Sequence, residues 1–269
     1  MTRGEHMDPS DRTPRAEAPN TRIAEVVRRL SADEDMDRRT RTRLLARLAG
    51  AIGASARRAG VASVTGGQWL ADLLMHTAPR LPVRDVETLR QHHHGLDGDA
   101  LAASLAETAT RATTGVGAAG GAIAAVEYTA PSTLLYAPAQ IAAETLAVAA
   151  IEVKLIAELH EVYGVEVPGT GSQRAITFVH AWARRRGFDP REPSSLPRAL
   201  GPAARNELRR RLMLRAGRNV STLGPVFTGA VAGGVLNRQA TRQLAKAVRD
   251  DLRHVNMGGR PLRAVGGRG

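Results

Sequence analysis

The chain has 269 residues, 43% of them hydrophobic but only 3% aromatic, and carries a formal net charge of +12. That length can bury a core, and a composition led by alanine, leucine, valine and glycine builds it from small, closely packed side chains that favour helices over strands. The absence of cysteine excludes disulfides, thiolate catalysis and cysteine-ligated zinc or iron–sulfur centres.

Residues 1–20 carry charges and prolines throughout and no apolar run like a signal-peptide core, so they read as a disordered tail on a chain with a cytoplasmic address. From 21 to 257 the pattern is helical. Ile23, Val26, Val27 and Leu30 have the spacing of a short amphipathic helix. In RRTRTRLLARLAGAIGASARR, Leu44, Leu45, Leu48 and Ile52 form an apolar stripe, and Arg38, Arg39, Arg41, Arg43, Arg47, Arg57 and Arg58 supply charge. A third helix carries Trp69, Leu70, Leu73 and Leu74 and is ended by APRLP; VRDVETLRQHHH is a short polar helix.

From Asp97 the chain passes from a charged stretch into a glycine and alanine run. After a turn at EYTAPS, a helix runs from about Thr133 to Tyr163 and stops at Gly164. The VEV before Pro168 has extended character but no partner strand. ITFVHAWARRR is followed by a proline-rich connector and a second basic helix at RNELRRRLMLRAGRN, which holds Arg209, Arg210 and Arg211. The closing element joins GPVFTGAVAGGVLN to the amphipathic RQATRQLAKAVRDDL, and residues 258–269 read as a second disordered tail.

Three windows carry no charge: 112–126, 128–143 and 219–237. The first two fall short of the roughly 20 apolar residues of a bilayer span, and the third has polar ends and an internal Pro225. The first two flank a turn with Glu127, Pro131 and Pro138 and so predict an apolar helical hairpin. It is either a buried pair of core helices or a pair that lies on or enters a bilayer, with Gln140 and Glu144 facing protein or water. Gly120 and Gly121, and the four-residue pair Gly229 and Gly233, mark sites of close helix approach.

Glu144 is a candidate buried polar group, because an unpaired charge in an apolar stretch is costly; a hydrogen bond, a salt bridge or an acid–base role would each account for it. Asn237, at the end of the last apolar stretch, is the second, and is expected to bond across a packed interface between the closing helix and one arm of the hairpin. Glu158 and Glu161 read as decorating a solvated face, and Glu152 and His160 are too far apart on one helix to work as a pair. Three adjacent histidines, His92, His93 and His94, point in different directions and read as a solvated helix end. Nucleophile elbow, Walker loop, dinucleotide fingerprint and HExxH motifs are all missing. No catalytic residue, metal or cofactor is assigned.

A pI near 11.3 calls for an anionic partner, either a membrane surface or nucleic acid. With few aromatics for base stacking and no helix-turn-helix, zinc-finger or RNP signature, the anionic membrane ranks first and nucleic acid second. Arg39, Arg43, Arg47, Arg209, Arg210 and Arg211 are the residues expected to meet it.

The order of segments resembles the EcsC protein family. The resemblance rests on TTGVGAAGGAIAAV preceding a long apolar helix that ends in EVYGVEV, and on the closing GPVFTGAVAGGVLNRQATRQLAKAVRDDLR. It covers roughly 97–163 and 224–252; Val165 and Glu166 stand where an aromatic and acidic pair is expected. The resemblance implies a helical, membrane-associated protein, with a membrane-protein partner as a further expectation, and offers no catalytic residues to carry over. The expectation is therefore a single all-α, multi-helix domain around a Gly/Ala-rich apolar hairpin, non-enzymatic and peripheral to the cytoplasmic membrane. The alternatives are a cytosolic nucleic-acid-binding protein, or an enzyme acting on a lipid or other hydrophobic substrate.

Overall fold

The computed structural model describes residues 17–33, 35–59, 68–128, 137–186 and 224–259, and every regular element among them is helical. In chain order these are α1 (Glu17–Ala32), α2 (Arg38–Ala59), α3 (Gln68–Thr77) with a 3-10 turn at Ala78–Arg80, α4 (Val86–His92), α5 (Gly98–Tyr128), α6 (Ala137–Tyr163), α7 (Gly171–Arg185) and α8 (Gly224–Gly259). The all-α expectation holds. The first helix begins at Glu17, inside the stretch expected to be a tail; residues 1–16 and 260–269, the hairpin turn at 129–136 and the second basic helix with Arg209, Arg210 and Arg211 lie outside the described residues.

Local chemistry explains most boundaries. Asp37 caps α2, its carboxylate accepting the N–H of Arg39 at 2.9 Å and of Thr40 at 3.0 Å. Asp85 caps α4 through Thr88 N at 2.7 Å, and Thr170 and Gln173 form a capping box on α7. Pro79 sits in the 3-10 turn after α3, where a continuing α-helix would lack its N–H. Pro225 is the second residue of α8, where the ring's fixed φ suits the first turn, so it does not interrupt the helix. Gly164 adopts φ +63 after α6, which lets Val165 N return to His160 O at 3.0 Å and close the last turn.

The core is organised around α6. From Leu146 to Leu159 its side chains are buried almost without a break, and α1, α2, α3, α5, α7 and α8 all pack on it. A helix surrounded in this way has no solvent stripe to show in its sequence. The predicted stripes of the outer helices face it or each other: Ile23, Val27 and Leu30 of α1, Leu44, Leu45, Leu48 and Ile52 of α2, and Leu70, Leu73 and Leu74 of α3 are all buried. No described helix is long and apolar enough to cross a membrane.

The most extensive helix pairing is α8 against α5. Gly234, Thr241, Leu244, Val248 and Leu252 follow the three- and four-residue spacing of one buried face. At Gly234 an added Cβ would stand 3.3 Å from Thr114 O and 3.4 Å from Thr114 Cγ2, so the helices meet there through main chain. Gly50, by contrast, is exposed on α2 with nothing within 4 Å of a Cβ. Gly234→Leu is expected to overpack the α5–α8 seam and lower stability by about 1–3 kcal/mol. Gly50→Ala is expected to raise stability by about 0.5–1 kcal/mol, because it removes backbone freedom from the unfolded chain without a new contact. Urea denaturation of the two variants checks both signs.

Candidate functional site

The second helix divides its arginines by helical phase. Arg39, Arg43 and Arg47, four residues apart, share one exposed face, and Arg38 and Arg57 are exposed as well. None of these five makes an ion pair among the described residues, and α2 contains no acidic residue. Arg41 points the other way: it is buried, and its guanidinium occupies the space where a Cβ on Gly115 of α5 would stand, 1.9 Å from Arg41 Nη1. Burial pushes the Arg41 pKa below the usual value, opposed by the charges of Asp33, Asp35 and Asp37. On α8 four basic residues are neutralised instead: Arg238 and Arg242 face Glu107, Lys246 faces Asp250, and Arg253 faces Asp99, while Arg249 reaches the main-chain O of Asp99 at 3.4 Å.

The hairpin residues fall as follows. Gln140 is fully buried, its amide donating to Gly120 O at 2.6 Å and to Glu144 Oε1 at 3.1 Å. Glu144 itself is only half-buried, with its carboxylate laid over Gly120, where an added Cβ would collide with Oε1 at 2.0 Å. Gly121 is buried. Asn237, half-buried on α8, donates to Thr113 O of α5 at 3.2 Å. Gly229 and Gly233 lie on α8, with their surroundings outside the described residues.

Two charged clusters inside the bundle went unpredicted. Glu152 of α6 is completely buried and accepts from Trp182 Nε1 at 2.8 Å, from Thr241 Oγ1 at 2.7 Å and from the Nε and Nη2 of Arg186, the Nε at 3.0 Å. Thr241 Oγ1 also lies 2.9 Å from Thr113 Oγ1, so that one polar network joins α5, α6, α7 and α8. Glu158, expected on a solvated face, is 2% exposed; Lys154 Nζ stands 2.9 Å away and Arg84 Nε 2.8 Å away. Its position on the central helix overrides the polarity that suggested solvent. Glu161 is exposed, and of the three histidines His92 and His94 are exposed while His93 is buried with Nδ1 2.8 Å from Ser104 Oγ. Among the described residues no group of histidines and carboxylates could hold a metal ion.

His160 of α6 meets the Phe178 ring of α7 edge-on with centroids 5.0 Å apart, and its Nδ1 lies 2.7 Å from Ile156 O. Burial pushes its pKa below the usual 6.5.

Both features generate predictions. Glu152→Ala strips Arg186, Trp182 and Thr241 of their common acceptor and is expected to cost about 3–5 kcal/mol in chemical denaturation, as breaking a buried pair does. Thr241→Val keeps the volume and should cost less, about 1–3 kcal/mol. At His160 the unfolded chain takes up a proton before the folded one, so its contribution is fully present above pH 6.5 and is lost as pH falls toward the folded pKa. His160→Gln should therefore flatten stability against pH on the acid side of neutrality, read from denaturation midpoints over that range. Comparison with family models, with curated proteins and with solved structures finds no match to this chain.

Proposed function

We infer that the chain is a non-enzymatic, EcsC-like helical protein that attaches peripherally to an anionic membrane surface, the cytoplasmic face of the membrane, through the exposed arginine face of α2. The observation that carries this reading is the contrast between α2 and α8. Arg238, Arg242, Lys246 and Arg253 of α8 are set against carboxylates, whereas Arg39, Arg43 and Arg47 stand in a row with no ion pair among the described residues. A row of that kind attracts anions at a cost to the isolated fold through self-repulsion, and a negatively charged leaflet supplies the counter-charge.

The same geometry favours adsorption over insertion. The apolar stripe of α2 is consumed by the core, with Leu45, Leu48 and Ile52 at 0% exposure, so only the polar face is on offer. Attachment of this type is electrostatic, reversible and salt-sensitive. Among the described residues, three of the aromatic side chains that single-stranded nucleic acid would need for stacking are engaged elsewhere: Trp182 and Tyr163 are buried and Phe178 packs on His160. The charge-free stretches of the α5–α6 hairpin and the resemblance of segment order noted above support the membrane over nucleic acid.

The triple variant Arg39→Gln, Arg43→Gln, Arg47→Gln should keep its circular dichroism spectrum. At about 1 kcal/mol per arginine it should lose about 100-fold in affinity for anionic vesicles in a flotation assay. Wild-type protein should leave the vesicles as salt is raised and should not float with neutral ones. Equal flotation of triple variant and wild type, or tight salt-dependent binding of DNA or RNA without vesicle binding, would overturn the reading.

A further inference from the structure

A second helix carries arginines without acidic company. The α7 segment GSQRAITFVHAWARR contains no aspartate or glutamate. Val179, Trp182 and Ala183 are buried, and on the opposite arc Arg174, Thr177 and Arg184 are exposed, with Ala181 half-buried between them. Arg185 is bound to Asp251 and Arg186 to Glu152, but Arg174 and Arg184 make no ion pair among the described residues. The outward arc of α7 is turned away from that of α2. Along α6, Gln140 and Glu144 are directed at Gly120 of α5, and α2 packs on that side, against α5 and α6. Steps of about 100° per residue place Ala149 and His160 on the far side of α6. These two meet α7, Ala149 lining one cleft with Val179 and Trp182 and His160 standing against Phe178. A flat surface laid on the α2 arginines therefore does not reach those of α7.

We propose that the outward face of α7 is a second contact for an anionic bilayer, directed away from the α2 face, so that one molecule holds two bilayers together. The proposal rests on the membrane reading above and extends it from attachment to bridging. Spacing and charge argue for this partner. Arg174 and Arg184 stand about 15 Å apart along the helix at 1.5 Å per residue, too far to close on one phosphate or carboxylate. An extended array of negative charge meets both, and a leaflet of anionic headgroups is such an array. The aromatic rings of α7 are not on this arc for a base to stack on, since Phe178 packs on His160 and Trp182 is buried. Each arginine adds only about fivefold in affinity, so a single molecule bridges weakly. Many copies held on one bilayer by α2 act together on the second, and their α7 contacts multiply.

The test separates attachment from bridging. Protein is mixed with vesicles of phosphatidylglycerol and phosphatidylcholine, or of phosphatidylcholine alone; flotation reads attachment and dynamic light scattering reads clustering. Wild-type protein should float with the anionic vesicles and cluster them, and added salt should disperse the clusters. The double variant Arg174→Gln, Arg184→Gln should float as wild type does and lose most of the clustering, with circular dichroism confirming its fold. Arg174→Lys with Arg184→Lys should keep the clustering, and the α2 triple variant should lose both signals. Clustering that survives in the double glutamine variant overturns the α7 assignment. So does loss of its flotation, which would merge the two faces into one contact, and so does equal loss of clustering in the lysine variant, which would trace the effect to something other than charge. Wild-type protein that floats without clustering overturns bridging and leaves attachment standing; protein that does neither overturns both. Sedimentation in vesicle-free buffer is the control for self-association: a dimeric wild type beside a monomeric double variant would assign the clustering to paired protein, against the proposal. Binding of duplex DNA that the double variant loses, without vesicle clustering, gives the face to nucleic acid instead.

Discussion

The arrangement of the bundle depends on a carboxylate that has no access to water. Glu152 sits at 0% exposure on the helix that every large neighbour packs against, and an ionised carboxylate there is tolerable only if donors arrive from several directions. They do: an indole N–H and a guanidinium from the end of α7, and a hydroxyl from the middle of α8. Each donor has one place on its helix from which it can reach, so the requirement fixes the registers of α7 and α8 on α6 at once. Thr113 extends the constraint to α5, bonding Thr241 through its hydroxyl and Asn237 through its carbonyl. Replacing such a network by hydrocarbon could leave total stability unchanged; what the network supplies is a penalty on every other packing.

Small residues make that register reachable. Gly234 lets the α8 backbone come within van der Waals contact of Thr114, Gly120 leaves room for the Glu144 carboxylate, and Gly115 leaves room for Arg41. The last two are unlike ordinary helix–helix notches, because a charged side chain fills each instead of a second backbone. Both lie on the charge-free part of α5, so the glycine and alanine run brings polar groups from α2 and α6 into an otherwise apolar layer. The run is therefore as much a set of seats for side chains as a surface for close helix approach.

The sequence pattern revealed the outer helices with their buried faces, and the inner helix with its end at Gly164, but not which charges of the inner helix are buried. The stripes of α1, α2 and α3 were legible because each of those helices has one wet face, and Gly164 and the APRLP segment marked real ends for local steric reasons. On α6 the same logic misassigned Glu158. A helix packed on all sides offers no polar face by which to recognise a buried charge, and the partners of Glu158 and Glu152 come from as far away as Arg84 and Thr241. Glu144 drew attention because its neighbours in sequence are apolar, yet it is only half-buried, since burial is decided by the helices alongside and not by residues along the chain. Asn237 was placeable because it marks the boundary between two compositions, a feature that does lie along the chain.

The arginines of α2 show how a single helix can serve fold and surface together. Steps of about 100° per residue put positions 39, 43 and 47 within one arc and position 41 nearly opposite. Arg41 is thereby committed to the interior, where desolvation weakens its hold on its proton and Asp33, Asp35 and Asp37 restore part of it. The other three are left facing outward, with Asp37 capping the helix while its charge also reaches Arg43, and Glu25 of α1 spent on Arg28 and Arg29. Surplus positive charge on this face thus results from where the nearby carboxylates are used, not merely from the number of arginines. Because the apolar stripe that Arg41 shares is locked in the core on the opposite side, the charge can be neutralised from outside without disturbing the packing beneath it. That separation is what an interface needs if it is to bind and release while the bundle stays folded.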